Sequence, residues 1–362
     1  MKYDVFCNVI DNYGDAGVCL RLCRELVKQD NEVKLFCNHL PTLQKILNKS
    51  DLNLKGFAIK AWQDALKEDY KAAPCIIAAF SCHLEPKLLS QIEKQSLMII
   101  NLEYLSAENF VEEFHAMPSP LYKIPCYFFF PGFTSQTGGL NYEQSFKEKI
   151  LQSSFNEDQK CLNLTLFSYK NKNILKLIEE LQSFNKPCCL DVFEGLALDN
   201  LNDLLNLKLS TGQSVKLENL TIHALAMTSQ DEYDTLLLKH EINLVRGEDS
   251  ICRAMLCGKP FLWQIYPQDE NAHLIKLNSF LDKMQELAQE EEIEAFKDYR
   301  KIMLFYNGED QAISKLEILN TLFSLKDLFK RFSIHLLNLG SLAQNLDCFC
   351  KEKLKAQIQA NS

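Results

Sequence analysis

A buried strand followed by an acidic strand-to-helix turn is predicted by the segment Ile242-Asn243-Leu244-Val245-Arg246-Gly247-Glu248-Asp249-Ser250. The run before the arginine is largely apolar, and the run from Ile251 to Cys257 has the spacing of a helix. In an open α/β sheet the carboxyl end of a strand faces the ligand crevice, and the first N–H groups of the next helix are unpaired. We therefore expect a phosphate-binding site at this junction. The alternative is that the acidic and hydroxyl residues only cap the helix and complement its dipole.

A second acidic segment, Asp11-Asn12-Tyr13-Gly14-Asp15-Ala16-Gly17, follows the first apolar run of the chain. It lies where Rossmann proteins carry their phosphate loop, but it lacks the full glycine pattern of that loop. Its carboxylates would repel a pyrophosphate, which argues against a dinucleotide cofactor. One of them can instead accept a proton from an incoming nucleophile. The alternative is an Asx turn at Asp11 or Asn12 and a helix cap at Asp15.

Composition limits the classes of function. The 362 residues favour two domains, and 39 Lys plus Arg against 48 Asp plus Glu give a formal charge of −9. This charge argues against nucleic acid and anionic membranes as partners. The 14 cysteines are scattered without zinc-ligand spacing, which predicts free thiols in a cytoplasmic protein and no metal site. No signal peptide or apolar run of membrane-spanning length is expected.

Strand and helix patterns alternate from Tyr3 to Leu102 and again from Leu162 to Tyr266, which predicts two parallel sheets covered by helices. The proline- and glycine-rich stretch from Pro118 to Gly139 is interpreted as the end of the first domain and an irregular linker. After Asn271 the spacing is helical. We therefore predict α/β domains at residues 1–150 and 151–335, with a helix over 336–362 completing the first.

Each predicted domain thus presents one acidic, glycine-containing segment at the carboxyl end of a strand. Stacked domains would direct both segments into one crevice, which is the layout of a GT-B glycosyltransferase. Such enzymes place a nucleotide-sugar on the second domain and the acceptor on the first. The absence of an Asp-x-Asp motif agrees with a transferase that uses no metal.

The sequence resembles the EarP family of elongation factor P arginine rhamnosyltransferases over essentially its whole length. Five blocks in the same order carry the resemblance: Asp11 to Asp15, Asn101 to Glu108, Phe128 to Thr134 with Gly138 to Leu140, Arg246 to Ser250, and Ile265 to Gln268 with His273. The resemblance implies an inverting GT-B enzyme without metal or cofactor. It would transfer L-rhamnose from dTDP-β-L-rhamnose to an arginine of elongation factor P, which activates that factor for relief of polyproline stalling.

The resemblance also implies roles for individual residues. Asp15 matches the proposed catalytic base, Asp11 a neighbouring carboxylate required for activity, and Glu248 a carboxylate close to the reacting sugar. Donor-binding positions correspond to Asn12, Tyr13, Gly14, Asp15, Gln230, Arg246, Gly247, Glu248, Asp249 and Ser250, with Phe167 or Tyr169 as the aromatic residue near thymine. The loop Ala78 to Cys82 departs from the family pattern, which has an acidic residue before the aromatic. Two alternatives are a GT-B transferase or epimerase with another donor, such as UDP-GlcNAc, and a noncatalytic nucleotide-binding partner of a translation factor.

Overall fold

The structure, a computed structural model, describes residues 1–10, 12–80, 82–152, 160–309, 311, 315 and 317–360. The chain divides into two compact units. Unit 1 comprises Met1–Glu148 together with the chain from Leu336 onward, and unit 2 comprises Lys149–His335.

Twelve strands lie within the described residues. They are β1 (Lys2–Cys7), β2 (Glu32–Cys37), β3 (Phe57–Ala61), β4 (Cys75–Ala79), β5 (Met98–Leu102), β6 (Cys126–Phe129), β7 (Leu162–Leu166), β8 (Cys188–Phe193), β9 (Ser214–Leu217), β10 (Leu220–Leu225), β11 (Ile242–Arg246) and β12 (Phe261–Gln264).

Fourteen α-helices lie within the same residues. They are α1 (Asn12–Lys28), α2 (Leu40–Ile46), α3 (Pro86–Gln95), α4 (Phe110–Phe114), α5 (Gln144–Gln152), α6 (Leu175–Ser183), α7 (Leu196–Leu205), α8 (Gln230–Lys239), α9 (Gly247–Leu256), α10 (Ala272–Gln285), α11 (Ile293–Tyr306), α12 (Ile318–Ser324), α13 (Lys326–Asn338) and α14 (Leu342–Ala360). Among them, none combines the length and apolar character that crossing a bilayer requires.

Unit 1 contains a six-stranded sheet in the order β3-β2-β1-β4-β5-β6, and every neighbouring pair is parallel. This is the strand order of a Rossmann domain. The chain moves outward from β1 to β3 and then returns to β4 on the other side of β1. Loops that leave β1 and β4 therefore diverge, and a crevice forms at the carboxyl ends of these two strands.

The sheet of unit 1 is covered on both faces, which explains why its central strand β4 is continuously apolar. Val5 packs in the cluster formed with α1 and α14, whereas Phe6 packs on the opposite face with Trp62 and Leu88. Stacking of Phe6 on Phe36, with ring centroids 5.0 Å apart, joins β1 to β2 on that second face.

The carboxyl-terminal helix α14 packs on unit 1. The Tyr3 hydroxyl donates a hydrogen bond to Asp347 Oδ1 at 2.7 Å, and the Leu342 N–H donates to the Leu140 carbonyl at 2.8 Å. Leu342 and Leu346 are fully buried in the cluster that also contains α1. The last helix therefore supplies part of the core beneath the first strand and the first helix of the chain.

Unit 2 contains a six-stranded sheet in the order β12-β11-β7-β8-β10-β9. All pairs are parallel except β9 with β10, which form an antiparallel edge. The chain moves from β7 through β8 to β10 on one side, and then to β11 and β12 on the other. The switch point of this sheet therefore lies between β7 and β11.

Two local expectations were wrong. The stretch from Pro118 to Gly139 is not an irregular linker throughout, because β6 pairs in parallel with β5 as the edge strand of unit 1. The two acidic segments are also not separate turns, since α1 begins at Asn12 and α9 begins at Gly247, directly after β11. Asp15, Glu248 and Asp249 consequently lie in the first turns of helices, which places them at the positive ends of the helix dipoles.

Candidate functional site

The switch point of the second sheet brings three of the predicted donor-binding residues together. Phe167 and Tyr169 follow β7, and Arg246 is the last residue of the neighbouring strand β11. Ligands of open α/β sheets bind outside the carboxyl ends of the strands at such a point. The fold therefore places Arg246 and both aromatic residues where a ligand of unit 2 is expected.

The Arg246 guanidinium lies over two aromatic rings. Its central carbon is 4.5 Å from the Phe167 centroid and 4.5 Å from the Tyr169 centroid. Both distances are within the range of favourable cation–π contact. Arg246 is 8% exposed, and its buried Nη1 has no hydrogen-bond partner among the described residues. The two rings thus contact a buried cation whose Nη1 makes no hydrogen bond within the described residues.

Phe167 is itself held by an aromatic cluster. Its ring centroid is 5.7 Å from that of Phe193 and 5.9 Å from that of Tyr233, and the last two are 5.4 Å apart. Burial raises the pKa of the Tyr233 phenol, so this side chain stays neutral at physiological pH. The cluster fixes the ring against which Arg246 rests.

Gly247 allows α9 to begin directly after Arg246. Its φ of +66° is in the left-handed region that side chains other than glycine rarely adopt. Its carbonyl accepts a hydrogen bond from Trp263 Nε1 at 3.0 Å, which ties the helix start to β12. The first turn of α9, which is the positive end of the helix dipole, therefore lies beside Arg246, an arrangement suited to an anion.

The acidic side chains of the first turn of α9 are linked to the neighbouring helix. Gln230, the first residue of α8 and 4% exposed, donates from Nε2 to Asp249 Oδ2 at 3.2 Å. Ser229 caps α8 and accepts at its side chain from the backbone of Glu232. Ser250 is buried, and Glu248 and Asp249 are half-buried. Oxygen acceptors of this kind suit hydroxyl groups better than phosphates, because like charges repel.

In unit 1, Asp15 lies in the first turn of α1, after β1 at the crevice between β1 and β4. Its Oδ2 accepts a hydrogen bond from the Ile10 N–H at 2.7 Å, and the residue is 2% exposed. Ile10 precedes α1, so this bond joins the carboxylate to the segment before the helix. The bond fixes the position of the carboxylate, which can still accept from other donors.

The remaining residues of the predicted acidic segment are partly described. Asp11 lies outside the described residues. Asn12 begins α1, Gly14 follows within its first turn, and the half-buried Tyr13 packs against the core cluster that contains α1. The structure thus places the beginning of α1 at the crevice of unit 1.

Gln264, which was not among the predicted site residues, also lies at this end of the second sheet. It ends β12 and pairs in register with Arg246. It is 5% exposed, and its Nε2 donates to the Lys170 carbonyl at 3.3 Å. The sequence held a weak signal for it, namely a polar side chain inside the apolar run Phe261 to Tyr266.

Metal ligands are not grouped in the described part of the chain: there, no three His, Cys, Asp or Glu side chains are arranged to hold an ion. His273 is 6% exposed, and its Nδ1 accepts from the Gln268 N–H at 3.2 Å. Arg246 and the positive end of the α9 dipole lie at the site in unit 2.

The sequence matches one known family over nearly its full length. The model of the family described as Elongation-Factor P (EF-P) rhamnosyltransferase EarP matches residues 3–351. The chain belongs to the EarP family. This membership confirms the resemblance seen in the five sequence blocks, and it confirms the predicted enzyme class, a rhamnosyltransferase.

Curated relatives agree with membership of the EarP family. A protein-arginine rhamnosyltransferase of Shewanella oneidensis is 36% identical over 316 residues, which cover 77% of this chain and 80% of that protein. A protein-arginine rhamnosyltransferase of Pseudomonas aeruginosa is 35% identical over 306 residues, which cover 78% and 81% of the two chains.

Solved structures show the same fold as this EarP-family chain. One, described as the structural basis for EarP-mediated arginine glycosylation of translation elongation factor EF-P, has a TM-score of 0.63 at 24% identity and covers 97% of this chain and 99% of its own. The glycotransferase of kitacinnamycin has a TM-score of 0.50 at 11% identity over 97% and 98% of the chains. These similarities confirm the predicted α/β fold class, a GT-B glycosyltransferase with two Rossmann-like domains.

Proposed function

We propose that this protein transfers L-rhamnose from dTDP-β-L-rhamnose to an arginine side chain of elongation factor P, with inversion at the anomeric carbon. Beside family membership, one structural observation carries the donor half of the proposal. Arg246 is stacked on two rings at the switch point of unit 2, and its Nη1 is buried without a partner in the described chain. A diphosphate supplies the oxygen acceptors that such a group requires.

The donor is assigned to unit 2. The diphosphate accepts hydrogen bonds from Arg246 and from the first N–H groups of α9, including those near Ser250. Glu248 and Asp249 accept from hydroxyl groups of the rhamnose or the deoxyribose, and Gln230 contacts the nucleotide. Phe167 or Tyr169 lies against the thymine ring. Gly247 contributes through its backbone, because its φ of +66° allows α9 to begin directly after Arg246.

The acceptor arginine is assigned to unit 1, where Asp15 is the proposed base and Asp11 a second carboxylate needed for activity. A free arginine has a pKa of roughly 12.5–13.8 and an ordinary Asp about 3.9, so complete proton transfer before attack is uphill by about 12 kcal/mol. Asp15 therefore first binds the guanidinium by charge-assisted hydrogen bonds. It accepts the proton only as the new bond makes the attacking nitrogen more acidic.

The transfer step balances as a single displacement. The arginine nitrogen forms a bond to the anomeric carbon while the bond from that carbon to the diphosphate oxygen breaks. The electron pair of the broken bond stays with dTDP, and the proton of the nitrogen passes to Asp15. Attack from the face opposite the leaving group inverts the anomeric centre.

The leaving dTDP gains negative charge as the bond breaks. Arg246 and the amino-terminal end of α9 are the positive groups positioned to stabilise it, and each such donor contributes roughly 3–4 kcal/mol to a transition state. The proposed reaction therefore uses no metal ion and no cofactor. Glu248 completes the set of residues near the reacting sugar, where a carboxylate favours the positive charge that develops on the ring.

Burial of Asp15 sets a condition on this mechanism. The residue is 2% exposed and bound to the Ile10 N–H. The acceptor guanidinium must therefore displace neighbouring atoms at the start of α1 before it can reach the carboxylate.

The partners of the protein follow from the proposed reaction. They are the donor and elongation factor P, with neither nucleic acid nor membrane. We place the reaction in the cytoplasm, because all 14 cysteines are free thiols. Modification of the arginine is proposed to activate elongation factor P for relief of polyproline stalling.

Intact-mass measurement of elongation factor P tests the proposal directly. After incubation with this protein and dTDP-β-L-rhamnose, we expect a mass gain of one deoxyhexose, located on an arginine by fragmentation. Thermal stabilisation by dTDP but not by UDP excludes a donor such as UDP-GlcNAc. Binding of dTDP without any mass gain would instead favour a noncatalytic partner or a different acceptor.

A further inference from the structure

The Gln264 carboxamide oxygen is a buried acceptor without a hydrogen-bond partner in the described chain. The nitrogen of the same amide donates to the Lys170 carbonyl at 3.3 Å. Because a carbonyl can only accept, this bond fixes which end of the amide is the nitrogen and which is the oxygen. The side chain is 5% exposed, so bulk solvent does not satisfy the oxygen.

Strand order places this side chain beside Arg246. Gln264 belongs to β12 and Lys170 follows β7, and β11 lies between these two strands. The Gln264 side chain therefore extends over the carboxyl end of β11. Arg246 is the last residue of β11 and is the register partner of Gln264. Register partners in neighbouring strands project to the same face of a sheet.

Two unsatisfied atoms of opposite character thus occur at one end of two paired strands. Arg246 Nη1 is a donor and Gln264 Oε1 is an acceptor, and neither has a partner among the described residues. Arg246 Nη1 carries two hydrogens, so it can donate one to a diphosphate oxygen and the other to a second acceptor. A phosphate oxygen cannot satisfy Gln264 Oε1, and a base N–H cannot satisfy Arg246 Nη1. A hydroxyl group satisfies both, since its oxygen accepts and its hydrogen donates.

We propose that Gln264 and Arg246 together bind one hydroxyl group of the donor, and that Gln264 is a specificity-determining residue. This inference rests on the proposed function, which assigns the nucleotide-sugar to unit 2. The hydroxyl belongs either to the deoxyribose, at its 3′ position, or to the rhamnose ring. Removal of that hydroxyl leaves both buried atoms unpaired, which makes an analogue without it a poor ligand.

The test compares the affinities of wild type and Gln264→Met for ligands that differ in hydroxyl groups. Dissociation constants are measured by calorimetry for dTDP, 3′-deoxythymidine diphosphate and dTDP-β-L-rhamnose. Loss of one hydrogen bond predicts about 5- to 10-fold weaker binding of the hydroxyl-bearing ligand by the variant. Methionine keeps the length of the side chain, so the core around β12 is retained.

The two hydroxyl sources give different patterns. For the deoxyribose, the wild type prefers dTDP over its 3′-deoxy analogue by at least this factor, and the variant, in which only Arg246 contacts the hydroxyl, shows a smaller preference. For the rhamnose, the variant binds dTDP normally and dTDP-β-L-rhamnose more weakly. Unchanged binding of every ligand overturns the proposal. Equal weakening of all three also overturns it, because that pattern reports a displaced Lys170 loop.

Gln91→Met is the matched control. Gln91 lies on α3 in unit 1, and its Oε1 is likewise buried without a partner in the described chain. Its substitution removes the same chemical group and is expected to leave every donor affinity unchanged. A comparable loss in Gln91→Met would trace the effect of Gln264→Met to stability alone.

The outcomes separate this inference from the proposed function. Wild-type protein that binds no dTDP contradicts both. Binding of dTDP that is indifferent to Gln264 contradicts only the inference. A third outcome is that ligand affinity depends on the hydroxyl and on Gln264, but elongation factor P gains no rhamnose. That outcome contradicts only the proposed transfer.

Discussion

The guanidinium carbon of Arg246 lies 4.5 Å from the centroid of the Phe167 ring. This contact joins the end of β11 to the segment that follows β7, the two strands that flank the switch point of the second sheet. Because Phe167 is packed against Phe193 and Tyr233, the cation rests on a fixed surface. The contact therefore orients the guanidinium before a ligand binds, which lowers the entropic cost of ordering this side chain on binding.

Arg246→Lys is expected to weaken dTDP binding about 10- to 100-fold, because lysine loses the planar contact with the rings and the forked geometry toward phosphate. Titration calorimetry with dTDP measures the change. Arg300→Lys is the matched control, since Arg300 also lies over a ring, 5.8 Å from the Phe296 centroid, and pairs with Asp282. Equal dTDP affinity of Arg246→Lys and wild type would contradict a role for the guanidinium in donor binding.

Asp15→Asn is expected to lower kcat by about 100- to 10,000-fold, because the amide accepts no proton during attack. Its oxygen can still accept from the Ile10 N–H, so the start of α1 and the affinity for dTDP are expected to persist. The readouts are the rate of rhamnose transfer and the dTDP dissociation constant. Turnover close to that of wild type would refute the role of Asp15 as base.

Asp64→Asn provides the comparison for Asp15→Asn. Asp64 Oδ2 accepts from the Ala61 N–H at 3.2 Å at a helix start in unit 1, as Asp15 does from Ile10. Asp64→Asn makes the same chemical change at a helix-start acceptor without altering the proposed base. We expect wild-type kcat for Asp64→Asn, so a similar fall in both variants would assign the effect to capping.

Chelation is expected to leave transfer unaffected, because Arg246 and the amino-terminal end of α9 supply the positive charge that the leaving dTDP requires. The measurement is the rate of rhamnose transfer in EDTA, compared with the rate after addition of magnesium or manganese. A strict requirement for either ion would contradict the proposed metal-independent mechanism.

The sequence predicts the central strands more accurately than the edges, for a physical reason. A strand with both faces buried is a continuous apolar run, as Cys75–Ala79 is within the alternating stretch from Tyr3 to Leu102. The edge strands β3 and β9 were not predicted. All of their residues are half-buried or exposed, so their composition resembles that of a loop. The edge strand β6 was not predicted, because the prolines around it are typical of a loop.

In the candidate site, features that depend on local sequence could be predicted, whereas contacts that depend on strand order could not. The polar residues after β11 could be found from sequence because a strand, a glycine and a helix start are local features. Contact of Arg246 with both Phe167 and Tyr169 depends on the pairing of β11 with β7, which sequence spacing does not give. The assignment of either ring to thymine stays a prediction. Gln264 was missed because its environment depends on the order β12-β11-β7.

Gly247→Ala is expected to destabilise unit 2 by about 1–2 kcal/mol, because alanine is strained at positive φ. It also displaces the start of α9, so dTDP is expected to bind more weakly. Urea unfolding and dTDP calorimetry measure the two effects. Gly212→Ala is the control, since Gly212 has a φ of +84° and open space where a Cβ would lie. That variant is expected to lose stability but keep dTDP affinity; a match between the two variants in dTDP affinity would contradict the role of Gly247.

Acidification is expected to destabilise unit 1 through His115. Burial lowers the pKa of His115 from 6.5 to about 4, and its Nδ1 accepts from the Phe130 N–H at 3.1 Å. Between these pKa values the unfolded chain binds the additional proton, so stability is lost as the pH falls from about 6.5 to about 4. After allowance for partial exposure, the loss is about 1–2 kcal/mol.

Urea unfolding at pH 7 and pH 4.5 measures this loss in wild type, His115→Gln and His83→Gln. Other groups also titrate in this range, so the informative quantity is the difference between variants. His115→Gln has no imidazole to protonate and is expected to lose about 1 kcal/mol less than wild type. His83 is exposed, and its variant is expected to follow wild type. The same loss in all three proteins would show that His115 carries no part of the acid sensitivity.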